Sequence, residues 1–183
     1  LIAAKPKYTS HGIAWFVQRD KTKPIKIKRV GLISLPNANN RPLLKATISY
    51  SGKEIILLCF HVISPRNAET VAYQKIEFDA LANWSQRILQ SNKQDLIVIG
   101  DFNSTPWYGQ FRQLLSKSGL VNSQRGFGIQ TTWHSILPPI FRIPIDTCLH
   151  SKSFITIRRF VGDEINSDHL PIFVELILSY RLN

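Results

Sequence analysis

The chain holds 183 residues, 44% of them hydrophobic, which fills one sizeable core and makes a single domain over residues 1–183 the expectation. Its 23 lysines and arginines outweigh 12 acids, for a net charge of +11, and favour a polyanionic partner such as nucleic acid, anionic lipid headgroups or a phosphorylated substrate, although a basic surface serves solubility equally well. No apolar run approaches the ~18 to 20 residues of a bilayer span and Leu1-Ile2-Ala3-Ala4 is too short for a signal-peptide core, which excludes a transmembrane segment here and leaves no evident membrane contact.

Gly12 to Val17 reads as a short apolar strand, followed by a lysine-rich connection. A second strand at Ile25 to Ile33 alternates Ile with Lys, so one of its faces is wet. Lys21 to Arg29 is too modest a basic run to be a nucleic-acid-coating arm. Leu35 to Pro42 is turn-rich, and the strands Leu43 to Tyr50 and Glu54 to Phe60 are joined by Ser51-Gly52, a hairpin signal. Ala68 to Gln90 has helical spacing, with Ala72, Ile76, Ala80, Trp84 and Ile88 as its apolar stripe.

Asp95 to Gly100 is the nearly continuous apolar run of a central strand buried on both faces. Gln110 to Ser118 is a second helix with Gly119 placed for a left-handed cap. The remaining strands fall at Gln130 to Trp133, Ile145 to Leu149, Phe154 to Val161 and Pro171 to Leu178. An α/β sandwich is the natural class. Cys59 and Cys148 both lie in apolar strands, as two buried thiols or a single bridge.

Four groups with chemical potential sit at strand ends. Asp101 and Asn103 follow the central strand two residues apart, so Phe102 enters the core while both polar side chains face outward. An Asx turn is the plainer reading of that pair taken alone. Ser167-Asp168-His169 precedes the last strand, as a polar turn or as a hard oxygen ligand beside a group that titrates near neutrality. His61 emerges at the end of its own strand. Asp146 is the least comfortable, because a carboxylate inside Ile143-Pro144-Ile145-Asp146-Thr147-Cys148-Leu149 needs a partner, and an imidazole is the obvious one.

In this order, His61-Val62-Ile63-Ser64-Pro65, Gly100-Asp101-Phe102-Asn103-Ser104-Thr105-Pro106, Thr132-Trp133, Pro144-Ile145-Asp146 and Ser167-Asp168-His169-Leu170-Pro171 resemble the endonuclease/exonuclease/phosphatase superfamily. The resemblance implies a deoxyribonuclease I-like four-layered α/β sandwich and a divalent-metal-dependent phosphoesterase. It implies that His61 contacts the scissile phosphate, Asp101 orients or deprotonates the attacking water, and Asn103 donates to a phosphoryl oxygen. Asp168 would help hold the cation, and His169, oriented by Asp146, would stabilise the transition state. Magnesium is the implied metal, with manganese as substitute. The implied substrates are nucleic acid, a phospholipid headgroup or a small phosphoester.

The family's opening strands, with an asparagine and a metal-binding glutamate, have no counterpart here, and the chain starts at Leu1 without any methionine. It therefore reads as the later part of a domain from a longer product, whose preceding part has room for a targeting or membrane segment; the compartment stays open. Weak metal binding, low turnover and an exposed sheet edge able to pair two copies into a homodimer are the consequences expected. Thr147, where relatives carry histidine or tyrosine, reads as a substrate-side difference. The competing functions are a catalytically incomplete scaffold for binding or assembly and a basic nucleic-acid-binding domain without hydrolysis.

Overall fold

The computed structural model describes residues 3–6, 12–17, 25–36, 42–91 and 94–179. The lysine-rich connection after the first predicted strand and the middle of the turn-rich loop at 35–42 lie outside them. Strands β1 (Ala3–Pro6) and β2 (Gly12–Trp15) form an antiparallel pair, and Trp15 Nε1–H reaches the Leu44 carbonyl at 3.4 Å.

A six-stranded sheet forms the centre. It contains β3 (Lys26–Ile33), β4 (Leu43–Tyr50), β5 (Lys53–Cys59), β6 (Asp95–Asp101), β7 (Val121–Asn122) and β8 (Asp146–His150), in the order β3-β4-β5-β6-β8-β7. Ser51 and Gly52 turn β4 into β5 with φ of 49° and 77°, the backbone that a tight hairpin requires. Among the described residues only β5 and β6 run parallel, and α1 (Ala68–Ser91) makes the crossover between them. Both strands therefore end at the same rim. Antiparallel β8 begins there, with Asp146 opposite Asp101 in the register.

One face of this sheet packs Ile56, Leu58, Leu96 and Val98 on Phe78 and Leu81 of α1 and on Phe111 and Leu114 of α2 (Gly109–Ser118). Gly119 caps α2 at φ 74°, its N–H on the Leu115 carbonyl. The other face sets Ile48, Ile55, Leu57 and Ile97 against Phe154, Leu176 and Leu178. Those three belong to β9 (Phe154–Val161) and β10 (Ile172–Leu178), an antiparallel pair forming a second sheet. Helices, main sheet and second sheet are thus stacked in layers, as the α/β sandwich implied by the resemblance requires. Among the described residues no helix is long and apolar enough to cross a membrane, and both cysteines are free.

Three local expectations need correction. Ala80, Trp84 and Ile88 of the expected stripe pack on the core, but Ala72 and Ile76 face solvent, and the inner face of α1 also carries Gln74, Glu77, Phe78, Leu81 and Ser85. Gln74 and Glu77 point inward in its early turns because they bond the backbone of the rim. Gln130 to Trp133 is no strand: it crosses the rim as a loop with one bridge from Trp133 to Ile143 and one to His169. Thr147 is fully buried, so it is no substrate-side group, since strand alternation turns it away from the face that Asp146 presents.

Candidate active site

The rim is assembled from the strand ends. Beyond β5 the parallel ladder continues, with Phe60 N–H on the Ile99 carbonyl and Val62 N–H on the Asp101 carbonyl, both at 3.0 Å. This carries His61 to within 3.6 Å of Asp101, Nε2 to Oδ2. The approach of the two strands is close at Gly100, where φ is 152° and a Cβ would overlap the Phe60 carbonyl oxygen. Phe102 anchors the next residue in the core against Phe60, Phe78 and Phe111.

Asn103 then turns into left-handed backbone at φ 45° and folds onto Asp101. Its backbone N–H donates to Asp101 Oδ1 at 2.7 Å, and its side-chain amide donates to Asp101 Oδ2 at 2.9 Å and to the Val62 carbonyl at 3.0 Å. Both amide hydrogens are spent within the protein. Burial pushes the Asp101 carboxyl up to about 6, against the lowering effect of the Asn103 backbone bond, with Asp146 and Asp168 adding repulsion and His169 opposing them.

On the facing side, Asp146 Oδ2 lies 2.8 Å from His169 Nδ1. That bond raises the His169 pKa, burial opposes it, and the arrangement leaves Nε2 as the nitrogen free of Asp146. Asp168 is exposed and takes the Trp133 Nε1–H at 3.3 Å. His61, Asp101, Asn103, Asp146, Asp168 and His169 line one cleft of about 800 Å³, with Trp133, Arg66 and Thr70 beside them.

Several residues hold this rim in roles that the sequence alone does not assign. Gln74 Nε2 donates to the carbonyls of Ile63 at 3.2 Å and Asn103 at 3.0 Å, and Glu77 accepts the Ile63 N–H at 2.8 Å, so α1 fastens both loops from behind. Two polar residues three apart, just after the His61 loop, were the available signal. Thr132 Oγ1 accepts the N–H of Ile145 at 3.4 Å and of Asp146 at 3.3 Å, while the Leu170 N–H bonds its carbonyl at 2.8 Å. It thereby ties the Asp146 strand to the His169 loop. Arg159, 3% exposed, bonds Gln130 Oε1 and, at 3.2 Å, the Asp146 carbonyl. An arginine inside an apolar strand poses the same demand for a partner as Asp146 does.

A cation finds few free donors here. Among the described residues no three His, Cys, Asp or Glu side chains gather as a metal-holding group. One Asp168 oxygen is on Trp133 and both Asp101 oxygens serve Asn103. This set does not fit a protein-built cage, and would hold a cation only jointly with substrate oxygens and water. A cysteine nucleophile is disfavoured too, since burial pushes both thiols up to about 12.

Solved structures of similar fold include an endonuclease/exonuclease/phosphatase from Bacteroides vulgatus, 16% identical, with TM-score 0.68 and coverage of 87% of this chain and 68% of that one. A second is D. rerio TDP2 complexed with single strand DNA product, at 18% identity and TM-score 0.64, covering 86% and 70%. A third is the mannosyl-6-phosphatase Bt3783 of Bacteroides thetaiotaomicron, at 18% and 0.63, covering 86% and 68%. No curated protein matches the chain. Residues 4–169 match the model of the Endonuclease/Exonuclease/phosphatase family, and with a match of that extent the chain belongs to this family.

Proposed function

We propose that the cleft is the active site of a metal-dependent phosphoesterase acting by in-line attack of an activated water. One observation carries the reading: a carboxyl raised to about 6 faces a histidine held by a second carboxylate at 2.8 Å across a single cleft. Asp101 takes a proton from the water, whose oxygen bonds to phosphorus as the ester P–O bond breaks. His61, at the mouth, returns a proton to the departing oxygen. His169, protonated and oriented through Nδ1 by Asp146, donates from Nε2 to a non-bridging oxygen as charge grows there.

Asn103 enters late in this scheme. Its amide is committed to Asp101 and Val62 at rest. Once Asp101 has accepted the proton it is a poorer acceptor, and the amide hydrogen is released toward the phosphoryl oxygen. A divalent cation, magnesium or manganese, would neutralise phosphate charge, with Asp168 as the oxygen ligand this chain offers. The steps assigned here to side chains do not pass through it. Nucleic acid, phospholipid headgroup and small phosphoester all remain candidate substrates, because the fold hosts more than one.

Hydrolysis of bis(p-nitrophenyl) phosphate in magnesium or manganese tests the assignment. Asp101→Ala and His169→Ala should each lower turnover about a thousandfold with circular dichroism unchanged. The incomplete-scaffold reading is favoured by the thin donor set at Asp168. Inorganic phosphate bound in the cleft without any turnover of the wild-type chain would select it.

A further inference from the structure

Residues 134–142 leave the cleft at Trp133 and return at Ile143, with the two ends paired. The tip is apolar and projects into solvent: Ile136 is 73% exposed, Ile140 82% and Phe141 66%. The backbone that carries them is constrained. Pro138 and Pro139 fix their own φ angles, and a short 3-10 turn at Pro139–Phe141 follows. Arg142 donates from Nε to the Leu137 carbonyl and from Nη2 to the Ser135 carbonyl, both at 2.7 Å.

The base of the loop belongs to the rim itself. Ser135 N–H bonds the Asp168 carbonyl at 2.9 Å, and Ser135 Oγ bonds the Ser167 carbonyl at 2.7 Å. Whatever seats on the tip is thus positioned at the mouth of the cleft. Holding an apolar tip rigid in water is costly in free energy, and burial in a partner recovers that cost.

The chemistry of the partner follows from composition and charge. The exposed side chains are mostly aliphatic, which makes a poor platform for stacked bases but inserts well among acyl chains. Residues 134–142 contain no acidic residue and include Arg142. The whole chain carries +11, and Arg66 lines the same cleft. The net positive charge of the chain, with Arg142 in the loop and Arg66 in the cleft beside it, favours an anionic surface for the apolar wedge. We infer that residues 136–141 form a docking loop that inserts into the surface of a bilayer containing anionic phospholipid and sets the cleft against it.

Sedimentation of the full chain with vesicles tests this without turnover, so its outcome is separate from that of the phosphoesterase assignment. Binding is expected to vesicles of phosphatidylcholine with phosphatidylglycerol and to be much weaker to phosphatidylcholine alone. Ile140→Ser with Phe141→Ser should lower the partition coefficient about tenfold or more, while hydrolysis of a soluble phosphodiester stays unchanged. Three results would overturn the inference: no binding to anionic vesicles, binding that the double variant leaves intact, or loss in the double variant of single-stranded DNA binding rather than vesicle binding.

Discussion

The two aspartates that bracket β6 show how one strand serves two purposes. Asp95, at its start, accepts hydroxyl hydrogens from Ser151 at 3.0 Å and from Ser153, and Ser151 Oγ in turn takes the Leu96 N–H at 3.2 Å. That end is a fastening, stitching β6 to the segment between β8 and β9. Asp101, at the finish, is surrounded by an amide, two histidines and two further carboxylates at the edge of a cleft. Hydroxyl bonds tie Asp95 into the fold, whereas burial beside a cleft raises the Asp101 carboxyl toward neutrality.

Asp101→Asn should break this contrast most strongly, because it abolishes the proposed base while relieving the fold. A carboxyl raised from 3.8 to about 6 binds more protons folded than unfolded in that interval, so its contribution to stability falls as pH rises from about 4 to about 6. The carboxylate then costs the folded state at most roughly 3 kcal/mol above pH 6. Turnover should fall about a thousandfold. Denaturation midpoints across pH should place the variant level with or above wild type at neutrality, with the difference vanishing below about pH 4. A variant less stable than wild type at pH 7 would mean that Asp101, too, is mainly a fastening.

At the opposite end, Asp95→Ala should cost about 1 to 3 kcal/mol of stability, since it leaves the two serine hydroxyls without their acceptor. Turnover per folded molecule should not change, as urea titration combined with the phosphodiester assay would show. Gln74→Leu sharpens the comparison further, because it unfastens the active rim without touching its ionisable groups. A loss of about tenfold in kcat with little change in KM is expected, as a positioning role requires. A change confined to stability would reduce Gln74 to packing.

Much of this was legible because periodicity exposes strands and strand ends expose chemistry. The apolar run from Asp95 places Asp101 and Asn103 at a strand terminus, and the discomfort of Asp146 in its apolar strand names an imidazole partner. The same demand for a partner singles out Arg159 within its own strand. The inner face of α1 was unreadable by hydrophobicity alone, because Gln74 and Glu77 are buried for the sake of carbonyls and N–H groups that no side-chain pattern reveals. Thr132 stands in the Thr132-Trp133 motif, yet its role is not legible there: its bonds join loops distant in sequence, and loops carry no period. The apolar loop at 136–141 escapes a search for membrane-spanning runs, since insertion by a tip needs only a few side chains.

Gly100 carries a consequence for how the family site can vary. Strand register is a matter of single residues, and a one-residue slip would send Asp101 to the opposite face of the sheet. The tight fit against Phe60 makes such a slip self-defeating, because any residue other than glycine brought to this place collides with main chain. A saturation library at position 100, screened for folded protein, should return glycine almost alone, and insertions between residues 95 and 100 should be purged with equal severity. The smallest residue in the strand thus acts as the gauge by which the carboxylate beside it is set.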